Sequence, residues 1–540
     1  MFEPTVPPGS PAPFAQPDPE GAGHREVGPG GYPTPGADPE DDAPATRSLR
    51  RITDPVAATR SAARGGRSGR GGLGVVAPSR YDPVVRAASQ VVGGPAGRRV
   101  ATGRGLWQAA TVLVMLSLVV LGFGVVQKQH CRTAGWTTPD QFWHACYSDI
   151  PVLYGSAALG GSDRPGLQQA VRGGALGPPL QAAAMWTVSG LVGGDPKTAP
   201  RRFFDTSAIL LGVALAATVA VVVVGVGRRR WDAAHLALAP LLVTSALISY
   251  DLLGIALMAA ALVAWGRRHP LLAGVLLGLA AGAKPLTAVV AMAVFAVALR
   301  AGRLVQFVVL GGTALVTWLV LRLVLFPGFG AGLSSSWQAF KAAVPGYGSI
   351  WLVPQLLGQS RPEGASAWYT GPGLGASAAT TASLLGLLAV FVVALTLALV
   401  APDRPRLALL ALFVVASSLV VAKSVPVQAS LILLPLLALA GLRWRDHLLW
   451  ATAELAYFVG TWLFIAGASK PDRGLPAGFY LVLLLLRLAA IGWLAVQALR
   501  GCLNVERDPV RVPEDGSPGR DDPLGGPVDE VPDALVVRLT

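Results

Sequence analysis

Cysteine is nearly absent, with only three in 540 residues. Cys131, Cys146 and Cys502 are too few for a disulfide-stapled scaffold or a multi-cysteine metal domain. Charge is scarce as well, at 14% of residues against 52% hydrophobic, and the mean hydropathy is +0.52. A soluble protein covers its surface with charge, so this balance points to lipid as the main solvent. Lysine is rare too: the formal charge of +13 is carried almost wholly by arginine. The chain has no G-x-x-x-x-G-K-[ST] loop and no G-x-G-x-x-G between a strand and a helix, which argues against nucleotide-driven chemistry. No His/Cys/Asp spacing marks a metal cage, since His144 and Asp140 are too little to argue one. The basic stretch lacks interleaved aromatics and any recognisable module, so nucleic acid is not an expected partner.

What is present is a series of apolar runs long enough to cross a hydrocarbon core of about 30 Å. Residues 1–104 form no core. Met1 to Thr46 is rich in Pro, Gly, Asp and Glu, and the chain then turns basic from Arg47 to Arg104. It has the composition of a disordered cytoplasmic tail whose arginines sit against anionic lipid. Residues 105–500 read as an all-α membrane domain of about twelve spans. The first runs from about Leu106 to Gln127 and the second from about Thr206 to Gly227. Later ones start near Ala233, Leu252, Pro270, Leu286, Leu304, Ser377, Leu407, Val425, Leu448 and Gly478. Residues 501–540 are polar, Pro-rich and acidic, and are expected to be a second disordered tail.

Arginine sets the orientation. Arg228–Arg230, Arg267–Arg268, Arg300 with Arg303, Arg404 with Arg406, and Arg443 with Arg445 all fall on the side of the N-terminal tail when about twelve spans are threaded. By the positive-inside rule that side is the cytoplasm of a plasma (inner) membrane protein, with both termini inside. Two long segments are left outside, near 128–205 and 327–376. The second holds Trp337, Tyr347, Trp351, Trp368 and Tyr369, as structured loops in the interface do. Leu167 to Val192 reads as a re-entrant or interfacial helix. Cys131 and Cys146 lie in the first outer segment, where a disulfide is permitted; the alternative is two unpaired small residues. Gly274, Gly278 and Gly282 form a stripe better suited to close helix packing than to a ligand loop.

Ionisable groups near membrane depth are functional candidates by default. Lys284 and Lys423 each interrupt an apolar region at an outer span boundary, where an ammonium can hold a lipid phosphate or simply snorkel to headgroups. Asp149, between aromatic and apolar residues, is a candidate general base whose pKa partial desolvation would raise; the plainer reading is a helix cap. Asp251, at another outer turn, is a candidate for positioning an acceptor, for pairing with Lys284, or for capping the helix that follows. Tyr147, Tyr154 and His144 flank Asp149 as supporting or acceptor-contacting candidates.

Four stretches carry a resemblance: Cys146-Tyr-Ser-Asp-Ile-Pro-Val-Leu-Tyr154, Tyr250-Asp-Leu-Leu253, Gly278-Leu-Ala-Ala-Gly-Ala-Lys-Pro285 and Lys423-Ser-Val-Pro-Val-Gln428. Together they resemble glycosyltransferase family 87, actinobacterial membrane enzymes of the GT-C type related to polyprenol-phosphomannose-dependent mannosyltransferases. The resemblance covers roughly Leu106 to Arg500. It implies a GT-C-like bundle, a polyprenyl-phosphate sugar donor carrying mannose or another hexose, and a glycolipid or glycan acceptor outside the membrane. It also implies a catalytic aspartate in the first outer loop, the position of Asp149. Many GT-C enzymes carry a second acid beside that aspartate, and here the neighbour is Ser148. No cofactor or metal is expected. A secondary transporter or a flippase for lipid-linked sugars is the rival reading of the same span count, but no internal repeat supports it.

Overall fold

The computed structural model describes residues 82–85, 87, 108–160, 164–172, 176–192, 197–325, 337–360, 373–508, 510–511 and 522–538. All of them belong to one unit, Leu73–Thr540. The expectations for Met1–Thr46, Trp368 and Tyr369 lie outside the described residues. Among the described residues there is no strand, so the all-α expectation holds.

The principal helices, in chain order, are α1 (Ala109–Gln127), α2 (Asp149–Ser156), α3 (Pro179–Leu191), α4 (Ala199–Gly225), α5 (Asp251–Gly266) and α6 (Pro270–Ala283). They continue with α7 (Leu304–Leu325), α8 (Ala376–Val400), α9 (Leu407–Val421), α10 (Trp444–Ser469) and α11 (Ala477–Leu503). Six of these are long and apolar enough to cross a membrane: α1, α4, α7, α8, α10 and α11. Five shorter apolar segments, α5, α6, Pro285–Arg300, α9 and Val427–Ala440, stand where further spans were expected. The span expected from Ala233 is broken into Ala234–Ala237 and Leu241–Ser245, with Pro240 between them. The structure thus supports a membrane protein, with six full-length candidate spans among the described residues; the expected twelve are not all seen as such.

Large apolar side chains point outward along the long helices, for example Val305 at 73% exposure on α7 and Leu385 at 60% on α8. Water would not tolerate this density of exposed Leu and Val, whereas lipid satisfies it. The helix interfaces use small residues instead. Gly274, Gly278 and Gly282 face α7, and a Cβ at any of them would overlap Leu310 and Thr313, Ala314, or Leu321 respectively. Only glycine lets α6 and α7 approach this closely, as the stripe predicts.

α4 begins at Ala199, ahead of the expected start at Thr206, because its first turns are polar. Asp205 in that extension accepts two bonds from the Arg132 guanidinium, at 2.8 and 2.9 Å, tying α4 to the chain just after α1. The segment read as one re-entrant or interfacial helix, Leu167 to Val192, is two helices, Leu167–Arg172 and α3.

The two ends of the bundle differ in chemistry. Asp251 opens α5 while Arg267 follows its other end, and the chain returns through α6 to place Lys284 beside Asp251. At the arginine-rich end the C-terminal residues depart from the expected disordered tail. Asp533 pairs with both Arg300 and Arg404, Asp508 pairs with buried Arg406, and Asp522 accepts from the backbone N–H of Leu407 at 2.8 Å. The acidic composition that suggested disorder is neutralised by arginines far away in sequence.

Candidate functional site

The site is built where α2, the turn before α5, the end of α6 and the segment after α9 converge. Ser148 is the N-cap of α2: its Oγ accepts from the Ile150 N–H at 3.3 Å and donates to the Leu247 carbonyl at 2.7 Å. The backbone N–H of Asp149 donates to the Ile248 carbonyl at 2.9 Å. These bonds pin the start of α2 to the residues that lead into Tyr250 and Asp251. Ser148, standing where a second acid was looked for, is therefore a tether that fixes Asp149.

The Asp149 carboxylate is half-buried. It accepts from Tyr147 Oη at 2.7 Å, and Gln428 Nε2 approaches its other oxygen at 3.4 Å. Burial raises its pKa above the ordinary carboxylate range and the Asp251 charge adds to this, while the Tyr147 bond and the Lys128 charge oppose it. A carboxylate so placed has a more basic oxygen than one in water, which suits it to accept a proton.

Lys128, fully buried at the end of α1, donates to the Tyr147 carbonyl at 2.9 Å. Desolvation lowers its pKa to about 7, with the Asp149 charge opposing. The sequence counted this lysine among the rare ones without singling it out.

Asp251 and Lys284 form a buried ion pair, and Gln181 Nε2 on α3 donates to the second Asp251 oxygen at 2.9 Å. Gly254 makes this possible. It lies one turn along α5, and a Cβ there would stand 2.7 Å from Lys284 Cβ and 3.1 Å from its backbone nitrogen. Of the readings considered for Asp251, its side chain pairs with Lys284 rather than capping α5.

Lys423 is placed differently. Its ammonium donates to the Phe340 carbonyl at 2.7 Å, the Lys341 carbonyl at 3.3 Å and Thr380 Oγ1 at 2.6 Å, so neutral oxygens hold it. The chain around it is stitched to the described part of the second long loop. Gly346 N–H donates to the Lys423 carbonyl at 3.0 Å, Val425 N–H to the Tyr347 carbonyl at 3.1 Å, and Trp351 Nε1 to the Val421 carbonyl at 2.9 Å. Tyr154 stacks on Phe203 with centroids 4.7 Å apart and belongs to the packing of α2 on α4. His144 stacks on His130 in a separate cluster with Asp140. Cys131 and Cys146 are joined in a disulfide that closes the segment leading to Tyr147.

Arg487 and Glu454 were missed. Both are fully buried on facing helices α11 and α10, and they pair through Nε and Oε2 at 2.9 Å. Arg487 also donates to the Val425 carbonyl at 2.7 Å and to Ser430 Oγ at 2.9 Å, so it grips the turn that presents Gln428 to Asp149. A signal existed in the sequence, because an acid and an arginine each interrupt an apolar span.

Residues 177–424 match the family model for glycosyltransferase family 87. The match covers less than half of the chain, and over that stretch the protein is similar to the family. The resemblance read from the sequence holds over these residues, and the family so matched is one of glycosyltransferases. The match contains Gln181, Asp251, Gly254, Lys284 and Lys423; Lys128, Tyr147, Asp149 and Gln428 flank it. No match is found among curated proteins or among solved structures.

Proposed function

We propose that this protein transfers a hexose, mannose or a close relative, from a polyprenyl-phosphate donor to a glycolipid or glycan hydroxyl outside the plasma membrane, through a GT-C-like bundle. The observation that carries this reading is the Asp149 carboxylate. It is half-buried, oriented by Tyr147 and Gln428, raised in pKa, and close enough to Asp251 to feel its charge. The family match supports the transfer chemistry, and the distribution of arginine supports the outward orientation.

Asp149 takes the proton of the acceptor hydroxyl as that oxygen attacks the anomeric carbon. The bond from that carbon to the phosphate oxygen breaks, and polyprenyl phosphate leaves with the electron pair. One displacement inverts the anomeric centre. Lys284, with Lys423 at the neighbouring segment boundary, is assigned the donor phosphate as a compact positive charge. Lys284 then shares its charge between Asp251 and the phosphate, so Asp251 and Gln181 hold the ammonium in place before the donor arrives.

Purified protein in liposomes, supplied with a radiolabelled polyprenyl-phosphate hexose and a hydroxyl-bearing glycolipid, separates this from movement of the lipid alone. The label is expected in a new covalent product of inverted configuration. Redistribution of intact donor between leaflets with no product would show a flippase instead.

A further inference from the structure

A second cluster of chemistry-bearing side chains lies in the first long loop and takes no part in the transfer described above. His130 follows α1 in the helix Gln129–Ala134, and Asp140 and His144 lie at either end of the helix Asp140–Trp143. His130 Nε2 stands 2.6 Å from one Asp140 oxygen and His144 Nδ1 stands 3.1 Å from the other. The imidazoles stack at 3.6 Å between centroids, and His144 Nδ1 also lies 3.1 Å from the Asp140 backbone carbonyl oxygen. The three donor atoms all lie within 4.8 Å of one another.

We propose that His130, Asp140 and His144 form a binding site for a divalent cation of the zinc class, which clamps the segment between Cys131 and Cys146. Two nitrogens and one carboxylate oxygen are a donor set that zinc favours and that magnesium and calcium, which prefer all-oxygen shells, do not. Ligands about 2.0–2.1 Å from a tetrahedral zinc are about 3.3 Å apart, close to the spacing already present. All three side chains are partly open to solvent, which leaves the fourth position for water.

The disulfide supplies the preorganisation. His130 precedes Cys131 and His144 lies two residues before Cys146, and the bridge holds the two cysteine Cα atoms 5.8 Å apart. The ligands are thereby brought together before any ion binds, so little loop ordering is left to oppose binding. Both cysteines are consumed by the bridge and supply no ligand. Sequence reading passed over this site because it weighed His144 and Asp140 without His130, which reaches them only through the fold.

The test uses the full-length protein in detergent, stripped with a chelator and titrated with Zn²⁺ or Co²⁺. The expected result is one equivalent bound, with visible cobalt bands of a tetrahedral nitrogen–oxygen site. Outer-shell partners of a metal are worth about 10–100-fold in affinity, so the doubly substituted His130→Ala/His144→Ala protein should lose at least ~100-fold. The conservative Asp140→Asn protein should shift the cobalt spectrum. Reduction of the disulfide should weaken binding without abolishing it. A wild-type protein that shows no cobalt band, or that takes up no more zinc than the double variant, overturns the proposal, because the three side chains are then only a hydrogen-bonded surface cluster. Neither readout depends on transferase activity, so the outcome is independent of the function proposed above.

Discussion

At the scale of single residues, two carboxylates are treated in opposite ways. Asp251 is neutralised by a dedicated lysine and an amide. Asp149 has a phenol and a distant amide on its oxygens, with Lys128 acting only through its charge. Burial raises the pKa of Asp149, which is why the proposed proton acceptor is this carboxylate. It works as a base only when ionised, so activity should rise with pH through its pKa, which stands above the ordinary value of about 3.9. The bond from Tyr147 stabilises the charged form and lowers that pKa. Tyr147→Phe should therefore move the acid limb of the kcat profile to higher pH, as read from transfer rates across a pH series. An acid limb that stays in place, or moves down, would mean that another group titrates there. Asp149 as a candidate was legible in the sequence because an acid beside an apolar segment is conspicuous. Gln428 beside Asp149 and Gln181 beside Asp251 were not legible, since neutral amides leave no mark in composition and only the fold brings them there.

Among the helices and the segments that join them, close approach decides the geometry. α5 and α6 meet at Gly254, and the added Cβ of Gly254→Ala would press on Lys284 within van der Waals range. Overpacking of this kind typically costs about 1–3 kcal/mol. It should also lower transfer by displacing Lys284 from Asp251, whereas Gly312→Ala, on α7 with open space around it, should leave the rate unchanged and not lower thermal stability. Equal stability and rate in Gly254→Ala and wild type would show that the Lys284 position is not set by this contact. The glycine stripe of α6 was readable from its spacing, although its partner α7 was not. The early start of α4 was hidden, because hydropathy marks where lipid begins and not where the hydrogen-bonded helix does. Glu454 and Arg487 show the converse: both were visible as charges within spans, yet their role in holding the 425–430 turn follows only from the packing of α10 on α11.

At the scale of the whole molecule, a membrane character and an all-α architecture followed directly from apolar runs and scarce charge. The number of crossings did not follow as simply. Among the described residues six helices reach spanning length, and shorter apolar segments fill positions that hydropathy alone reads as spans. A window of apolar residues cannot distinguish a buried short helix from a lipid-facing one. The acidic C-terminal residues were read as lacking structure because their arginine partners lie more than a hundred positions away. Orientation is the remaining property of the whole chain, and it rests on the arginine clusters. Cysteine or epitope tags after Arg230 and at the C-terminus should be shielded in intact cells, while a tag near Gly161 should be accessible from outside. A tag near Gly161 that proves shielded would place Asp149 on the wrong side for an external acceptor.

The central claim is that Asp149 removes the acceptor proton, and the rate of sugar transfer by Asp149→Asn protein in liposomes tests it most directly. The substitution keeps the shape and removes the proton acceptor, so the rate should fall by roughly 10²–10⁴-fold, the usual size of a general-base contribution. Donor binding should change little, because the carboxylate acts on the acceptor hydroxyl. An Asp149→Asn protein that is folded, inserted and still transfers sugar at the wild-type rate would contradict the account.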